Sequence, residues 1–187
     1  MRKKSLRKFN PDRVAKYETG MWHAYYHHNP LKLFYLLMKL AREFFGVNYL
    51  TAIGMGYYSA SAAVDFSWNK GREKEERIVK RLTKFYKLIS DRSLEEFDYR
   101  RAAQLELQWW MVDRYPERYP ISREEALAKG MASIFNVDHS KLLEYGKFRA
   151  EAMVVQDRAE LNKEEADWVL VEDLLRSSFR ALKHAVN

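Results

Sequence analysis

Apolar residues recur every three or four positions along most of the chain, which is the spacing of one face of an α-helix. In residues 72–91, charged groups alternate with five apolar side chains, those of Ile78, Leu82, Phe85, Tyr86 and Leu88. This pattern is typical of an amphipathic surface helix. No segment shows the strict alternation of apolar and polar residues that indicates a β-strand. The pattern therefore predicts an all-α fold.

Prolines and capping residues divide this pattern into separate helices. All four prolines fall at predicted helix ends, where the missing backbone N–H group costs little. Asn10-Pro11 and Asn29-Pro30 each combine an N-cap residue with a proline in the first turn, so they predict the starts of the first two helices.

Two capping boxes of the form Ser-x-x-Glu predict further helix starts at Ser93 and Ser122. Asn162 is interpreted as the cap of the last helix. The pattern then predicts about eight helices, covering 11–28, 30–45, 49–66, 72–91, 93–115, 122–135, 140–160 and 162–187. At this chain length we expect one compact multi-helix bundle, with residues 10–187 as a single domain.

Residues 44–64 carry no charged side chain, and a segment of that length could span a bilayer. Gly46 and Asn48 indicate a helix end followed by a new helix start, which would divide the segment into two buried pieces. We therefore do not predict a membrane partner. Small residues follow at every fourth position and predict a central helix that its neighbours approach closely, namely Ala52, Gly56 and Ala60.

The formal net charge of +7 is concentrated near the N-terminus. Five basic residues precede position 9 without any acidic one, namely Arg2, Lys3, Lys4, Arg7 and Lys8. Residues 1–9 are therefore predicted to form a basic flexible arm. Such an arm could contact nucleic acid, but the nearly balanced charge of the remaining chain argues against nucleic acid as the main partner.

The chain contains no cysteine, which excludes disulfides, thiolate metal sites and cysteine nucleophiles and fits a reducing compartment. No apolar segment of the signal-peptide type follows the basic N-terminus. We therefore expect a cytoplasmic location. The motifs GxSxG, GxxxxGK[ST], GxGxxG and HExxH are absent, so the activities that depend on them are not predicted.

Three charged residues are predicted to lie within the apolar stripes of their helices: Glu18, Glu106 and Arg149. The neighbours of a helical residue are those three and four positions away, and around these three they are all apolar or small. Burial of an unpaired charge is costly, so each must pair, change protonation or bind a ligand. One interpretation is a buried ion-pair network centred on Arg149.

The functional hypothesis is a pocket for a small molecule between the helices that carry these charges. Its predicted ligand-binding residues are Glu18, Trp22, Tyr25, Glu106, Trp110 and Arg149. The aromatic side chains would form the walls, Arg149 would hold an anionic group, and a carboxyl group would act as acid or base. Nothing in the sequence distinguishes a binding protein from an enzyme.

A metal ion is the one cofactor that the sequence suggests. Its candidate ligands are Glu18, Glu106, His23 and His27. His23 and His27 are four residues apart, which matches the geometry of a two-histidine metal pair on one helix, although no third ligand is evident nearby. The same histidines also suit the C-terminal end of a helix. The chain lacks the Glu-x-x-His motif of di-iron bundles.

The alternative hypothesis is a non-enzymatic helical module for protein–protein interaction or homo-oligomerisation. In this interpretation the buried charges specify packing, and the basic N-terminal arm contacts an acidic partner. The hypothesis predicts a large apolar surface patch or a symmetric interface.

Overall fold

A computed structural model describes residues 3–69 and 74–187, which form a compact bundle of eight α-helices. The helices are α1 (Pro11–Tyr26), α2 (Pro30–Phe45), α3 (Tyr49–Trp68), α4 (Glu75–Ser90), α5 (Tyr99–Arg114), α6 (Arg123–Phe135), α7 (Leu143–Asn162) and α8 (Trp168–Val186). Short 3-10 helices precede α6 and α7. The prediction of an all-α bundle is confirmed. The predicted start of α4 at residue 72 lies outside the described residues.

Several predicted helix ends are confirmed. The side-chain oxygens of Asn10, Asn29 and Ser122 accept hydrogen bonds from backbone N–H groups three residues further along the chain. Gly46 ends α2 in the left-handed region, with a φ of 64°, and Asn48 caps α3. The uncharged segment is therefore divided as predicted. None of the described helices is long and apolar enough to cross a membrane.

Two predicted helix starts are wrong. Ser93 lies in a loop, where its buried hydroxyl group accepts a hydrogen bond from the backbone N–H of Glu95 at 2.9 Å. The cap of α5 is instead Asp98, whose carboxylate accepts hydrogen bonds from two N–H groups of the first turn. Likewise, α7 extends to Asn162, and α8 begins after a cap formed by Asp167.

The described part of the predicted flexible arm, residues 3–9, packs against the bundle. The Glu95 carboxylate accepts hydrogen bonds from the Ser5 hydroxyl group at 2.5 Å and from the backbone N–H of Leu6 at 2.8 Å. The side chains of Leu6 and Phe9 are buried in the core. The basic charge of this segment predicted an arm, but burial of its two apolar side chains determines its position.

The helices form a closed ring in chain order. Each helix packs mainly against the helices before and after it, and α8 packs against α1 to close the ring. The prediction that α3 is a central helix is therefore wrong, because α3 packs on α2 and α4 and its outer side is exposed. Its small residues permit close approach all the same: a Cβ atom on Gly56 would lie 3.1 Å from the ring of Phe34.

An aromatic cluster fills the ring at the end where α1 begins and α2 ends. The ring centroid of Phe44 lies 5.0 Å from that of Phe9 and 5.4 Å from that of Phe179. Edge-to-face contacts of this kind are the favoured arrangement of aromatic side chains. The remaining interior of the ring contains the candidate site.

Candidate functional site

A cavity of about 480 Å³ lies inside the ring, and residues from all eight helices line it. Small-molecule sites typically have volumes of about 300–1,000 Å³. Most of the lining is apolar or aromatic. The aromatic lining residues include Trp22, Tyr25, Trp109 and Trp110. The volume and lining are therefore those of a site for a small organic molecule.

All six residues predicted to bind a ligand line this one cavity, namely Glu18, Trp22, Tyr25, Glu106, Trp110 and Arg149. Helix α1 supplies three of them, α5 two and α7 one. The structure thus brings together residues that lie up to 131 positions apart in the chain. Their assignment to ligand binding stays a prediction.

Arg149 and Glu18 form a buried ion pair at the cavity wall. Both terminal nitrogens of Arg149 donate hydrogen bonds to the two carboxylate oxygens of Glu18, one of them at 2.9 Å. Their side chains are only 13% and 5% exposed. Burial lowers the pKa of Arg149, but the negative charge of Glu18 more than offsets this and the pKa lies above its usual value. A bidentate pair of this kind is among the strongest hydrogen-bonded contacts in proteins.

Glu106 is held by neutral hydrogen-bond donors. The Tyr86 hydroxyl group donates to Oε2 at 2.9 Å, and the indole N–H of Trp110 donates to Oε1 at 3.1 Å. Burial raises the pKa of Glu106, although Trp109, Tyr86, Trp110 and the positive charge of Arg149 favour the ionised form. A carboxyl group whose pKa is shifted toward neutral pH can exchange a proton with a bound molecule.

Gln156 is a lining residue that the sequence analysis missed. It is 5% exposed, and among the described residues its Oε1 atom has no hydrogen-bond partner. Buried polar atoms are rarely left unpaired, so this oxygen indicates a donor supplied from within the cavity. Its helical neighbours include Ala152, Met153 and Ala159. Its fourth helical neighbour is the charged Glu160, so the search that found the buried charges would not have indicated Gln156 even if it had included neutral polar residues.

Two further carboxylates line the cavity and share a cation outside it. Nε of Arg123 lies 2.8 Å from Oδ1 of Asp113, and Nη1 of Arg123 lies 2.9 Å from Oδ2 of Asp157. Burial raises the pKa of Asp113, which Arg123 partly opposes. Of the charged lining residues that the structure describes, four are acidic and one is basic, namely Glu18, Glu106, Asp113, Asp157 and Arg149. The charged part of the lining is therefore mainly acidic.

The four metal candidates occupy two separate places. Glu18 and Glu106 line the cavity, where each is already held by the donors described above. His23 lies in the last turn of α1 and His27 is the C-cap residue of that helix. Among the described residues, the two form a group of three potential ligands with Glu165. Burial lowers the pKa of His23. No pattern in the sequence indicated Glu165 as a third ligand, because it comes from a loop far along the chain.

The fold and the cavity together define a helical-ring protein with an aromatic-walled site inside the ring. Comparison of the chain with protein-family models, curated proteins and solved structures finds no match.

Proposed function

We propose that the protein binds a small, mostly apolar molecule inside the cavity, with a hydrogen-bond-donating head group directed at Glu106 and Gln156. The observation that carries this proposal is the buried, unpartnered Oε1 atom of Gln156, which faces the same cavity as the carboxyl group of Glu106. A donor from the ligand would satisfy both groups.

The balance of polar groups favours a donor head group over an anionic one. Among the residues that the structure describes, the only basic one in the lining is Arg149, and its terminal N–H groups already bind Glu18. An anion would have to displace Glu18, leaving a buried carboxylate without its partner, which is costly. An amine or an alcohol requires no such exchange. We therefore propose a different head group from the anion expected from the sequence.

The apolar part of the ligand would lie against the aromatic walls. Burial of apolar surface contributes about 25 cal/mol per Å², so a mostly apolar cavity derives its affinity from this part of the ligand. The faces of Trp22 and Trp110 would also attract a cationic head group. An amine thus matches both the aromatic and the acidic parts of the lining, whereas an alcohol matches only the acceptors.

Isothermal titration calorimetry with decylamine, decanol and decanoate, at concentrations below micelle formation, tests the proposal. We expect decylamine to bind tightest, decanol more weakly, and decanoate at least about tenfold more weakly than decylamine, since it requires a like-charge contact or a broken ion pair. The affinity for decylamine should fall as the pH is lowered through the raised pKa of Glu106. Protonation of that carboxyl group removes its attraction for the ammonium group.

The variant Glu106→Gln tests whether Glu106 binds the head group of the ligand. This variant should bind decylamine at least about tenfold more weakly, as expected for loss of a charge partner of the head group, and should lose the pH dependence. It should still fold, because a neutral amide avoids the cost of burying a charge. Glu151→Gln, on the exposed side of α7, is the matched control and should bind like the wild type. Tighter binding of decanoate, or no binding of any probe, would contradict the proposal.

A specific surface feature favours the alternative function, homo-oligomerisation. The outer side of α3 exposes Leu50 (81%), Tyr57 (64%) and Val64 (42%), which are spaced seven residues apart. Ile53 and Trp68 extend the same exposed stripe. A seven-residue repeat of exposed apolar residues is typical of a helix that pairs with another helix. We propose that the occupant is α3 of a second copy, since an uncharged stripe can pair with itself.

Light scattering coupled to size-exclusion chromatography tests this pairing. We expect the wild-type protein to have the mass of two chains and the double variant Leu50→Glu, Tyr57→Glu to have the mass of one, because charges placed in the stripe would repel across the interface. Leu161→Glu is the matched control, since Leu161 is 83% exposed but lies on α7. A wild-type monomer, or a dimer that the double variant preserves, would argue against this interface.

A further inference from the structure

We propose that His23, His27 and Glu165 form a binding site for a divalent first-row transition-metal ion of the zinc type. The site lies outside the cavity, at the C-terminal end of α1, and does not depend on the cavity ligand. A metal ion there would join α1 to the loop between α7 and α8.

The three side chains are close enough to share one ion. One ligand atom from each lies within 4.8 Å of the others, and the imidazole rings of His23 and His27 stack with centroids 4.0 Å apart at an angle of 7°. In a tetrahedral zinc site, bonds of 2.0–2.1 Å place neighbouring ligand atoms about 3.4 Å apart. The side chains of His27 and Glu165 are 44% and 62% exposed, so they can rotate to close this difference.

The hydrogen bonds around the site orient the ligand atoms. Nδ1 of His27 lies 2.9 Å from the carbonyl oxygen of His23, which favours a proton on Nδ1 and leaves the lone pair on Nε2. That Nε2 atom lies 3.3 Å from Oε2 of Glu165. The indole N–H of Trp168 donates to Oε1 of Glu165. Metal-ligating histidines and carboxylates are held by outer hydrogen bonds of this kind.

An unpartnered ring nitrogen supports the inference independently. Nδ1 of His23 is shielded from solvent, and among the described residues it has no hydrogen-bond partner. The side chain also packs against Trp168, with ring centroids 5.1 Å apart, so its orientation is restricted. A histidine held in this way, next to a second imidazole and a carboxylate, can serve as a metal ligand.

The donor set determines the class of metal. Two imidazoles and one carboxylate suit Zn²⁺, Co²⁺ or Ni²⁺, whereas Mg²⁺ and Ca²⁺ prefer all-oxygen ligands. Three protein ligands leave a fourth coordination position for water or another small ligand, as in catalytic zinc sites.

Titration of the purified, chelator-treated protein with Zn²⁺ at pH 7.5, followed by calorimetry, tests the site. We expect one Zn²⁺ per chain, with no comparable binding of Mg²⁺. Co²⁺ should produce the visible absorption of a low-coordinate nitrogen and oxygen site. Zn²⁺ should also raise the melting temperature, and a chelator should reverse the rise, because only the folded chain brings the ligands together.

Two pairs of adjacent residues provide matched variants. His27→Ala and Glu165→Gln should weaken Zn²⁺ binding at least about tenfold, the lower limit expected even for loss of an outer-shell partner. His28→Ala and Glu164→Gln, which change the neighbouring exposed residues, should bind Zn²⁺ like the wild type. Equal weakening by both pairs, unchanged binding in all four variants, or no Zn²⁺ binding by the wild type would overturn the proposal.

Discussion

Glu18→Ala is expected to destabilise the protein by about 3–5 kcal/mol, the cost of leaving one partner of a buried ion pair without the other. Arg149 would keep its positive charge in the interior, and both of its hydrogen-bonded nitrogens would lose their acceptors. Urea denaturation of wild type and variant at pH 7, followed by circular dichroism, measures the difference in the free energy of unfolding.

The double variant Glu18→Met, Arg149→Met separates charge from packing. It removes both charges and keeps long apolar side chains, so we expect it to be clearly more stable than Glu18→Ala. Asp12→Ala breaks an exposed pair with Arg180 and should cost less than about 1 kcal/mol. If Glu18→Ala and Asp12→Ala lower the free energy of unfolding equally, burial does not account for the contribution of the Glu18–Arg149 pair.

Gly146→Ala is expected to destabilise the protein by about 3 kcal/mol, at the upper end of the usual cost of overpacking. A Cβ atom on Gly146 would lie 2.2 Å from the backbone carbonyl oxygen of Glu124. Because the obstructing atom belongs to the backbone, rotation of a side chain does not relieve the clash. Helices α6 and α7 would have to separate. Thermal and urea denaturation of the variant measure the cost.

Gly130→Ala is the matched control for this prediction. Gly130 also lies within a helix, but the nearest atom to its added Cβ is a ring carbon of Trp109 at 3.9 Å. Without a clash, the higher helix propensity of alanine should stabilise the protein by up to about 1 kcal/mol. Equal destabilisation by the two substitutions would contradict the prediction that close helix packing at Gly146 causes the loss of stability.

The neighbour test on the sequence located the candidate site but not its pairings. Glu18, Glu106 and Arg149 could be recognised as interior residues because burial along a helix depends on the residues three and four positions away, which the sequence displays. The partner of each charge lies on another helix. Arg149 pairs with Glu18, while Glu106 is held by Tyr86 and Trp110, and no local pattern distinguishes these outcomes.

Errors in the predicted helix starts have the same origin. Ser93 fits the capping box in local sequence, yet its hydroxyl group and the nearby Glu95 are used to hold the N-terminal segment. The described part of the N-terminal segment shows the complementary effect: Leu6 and Phe9 are buried in the core, which the charge of the segment does not reveal. In both cases a contact between distant segments overrides a local preference.

The sequence by itself determined the helices, several of their caps and the interior placement of Glu18, Glu106 and Arg149, because these depend on interactions within a few turns of one helix. Only the tertiary structure decided that the helices close into a ring with a cavity inside, that Gln156 faces this cavity, and that Glu165 joins His23 and His27. These contacts depend on how the packed helices align with one another, and that alignment is a property of the whole chain.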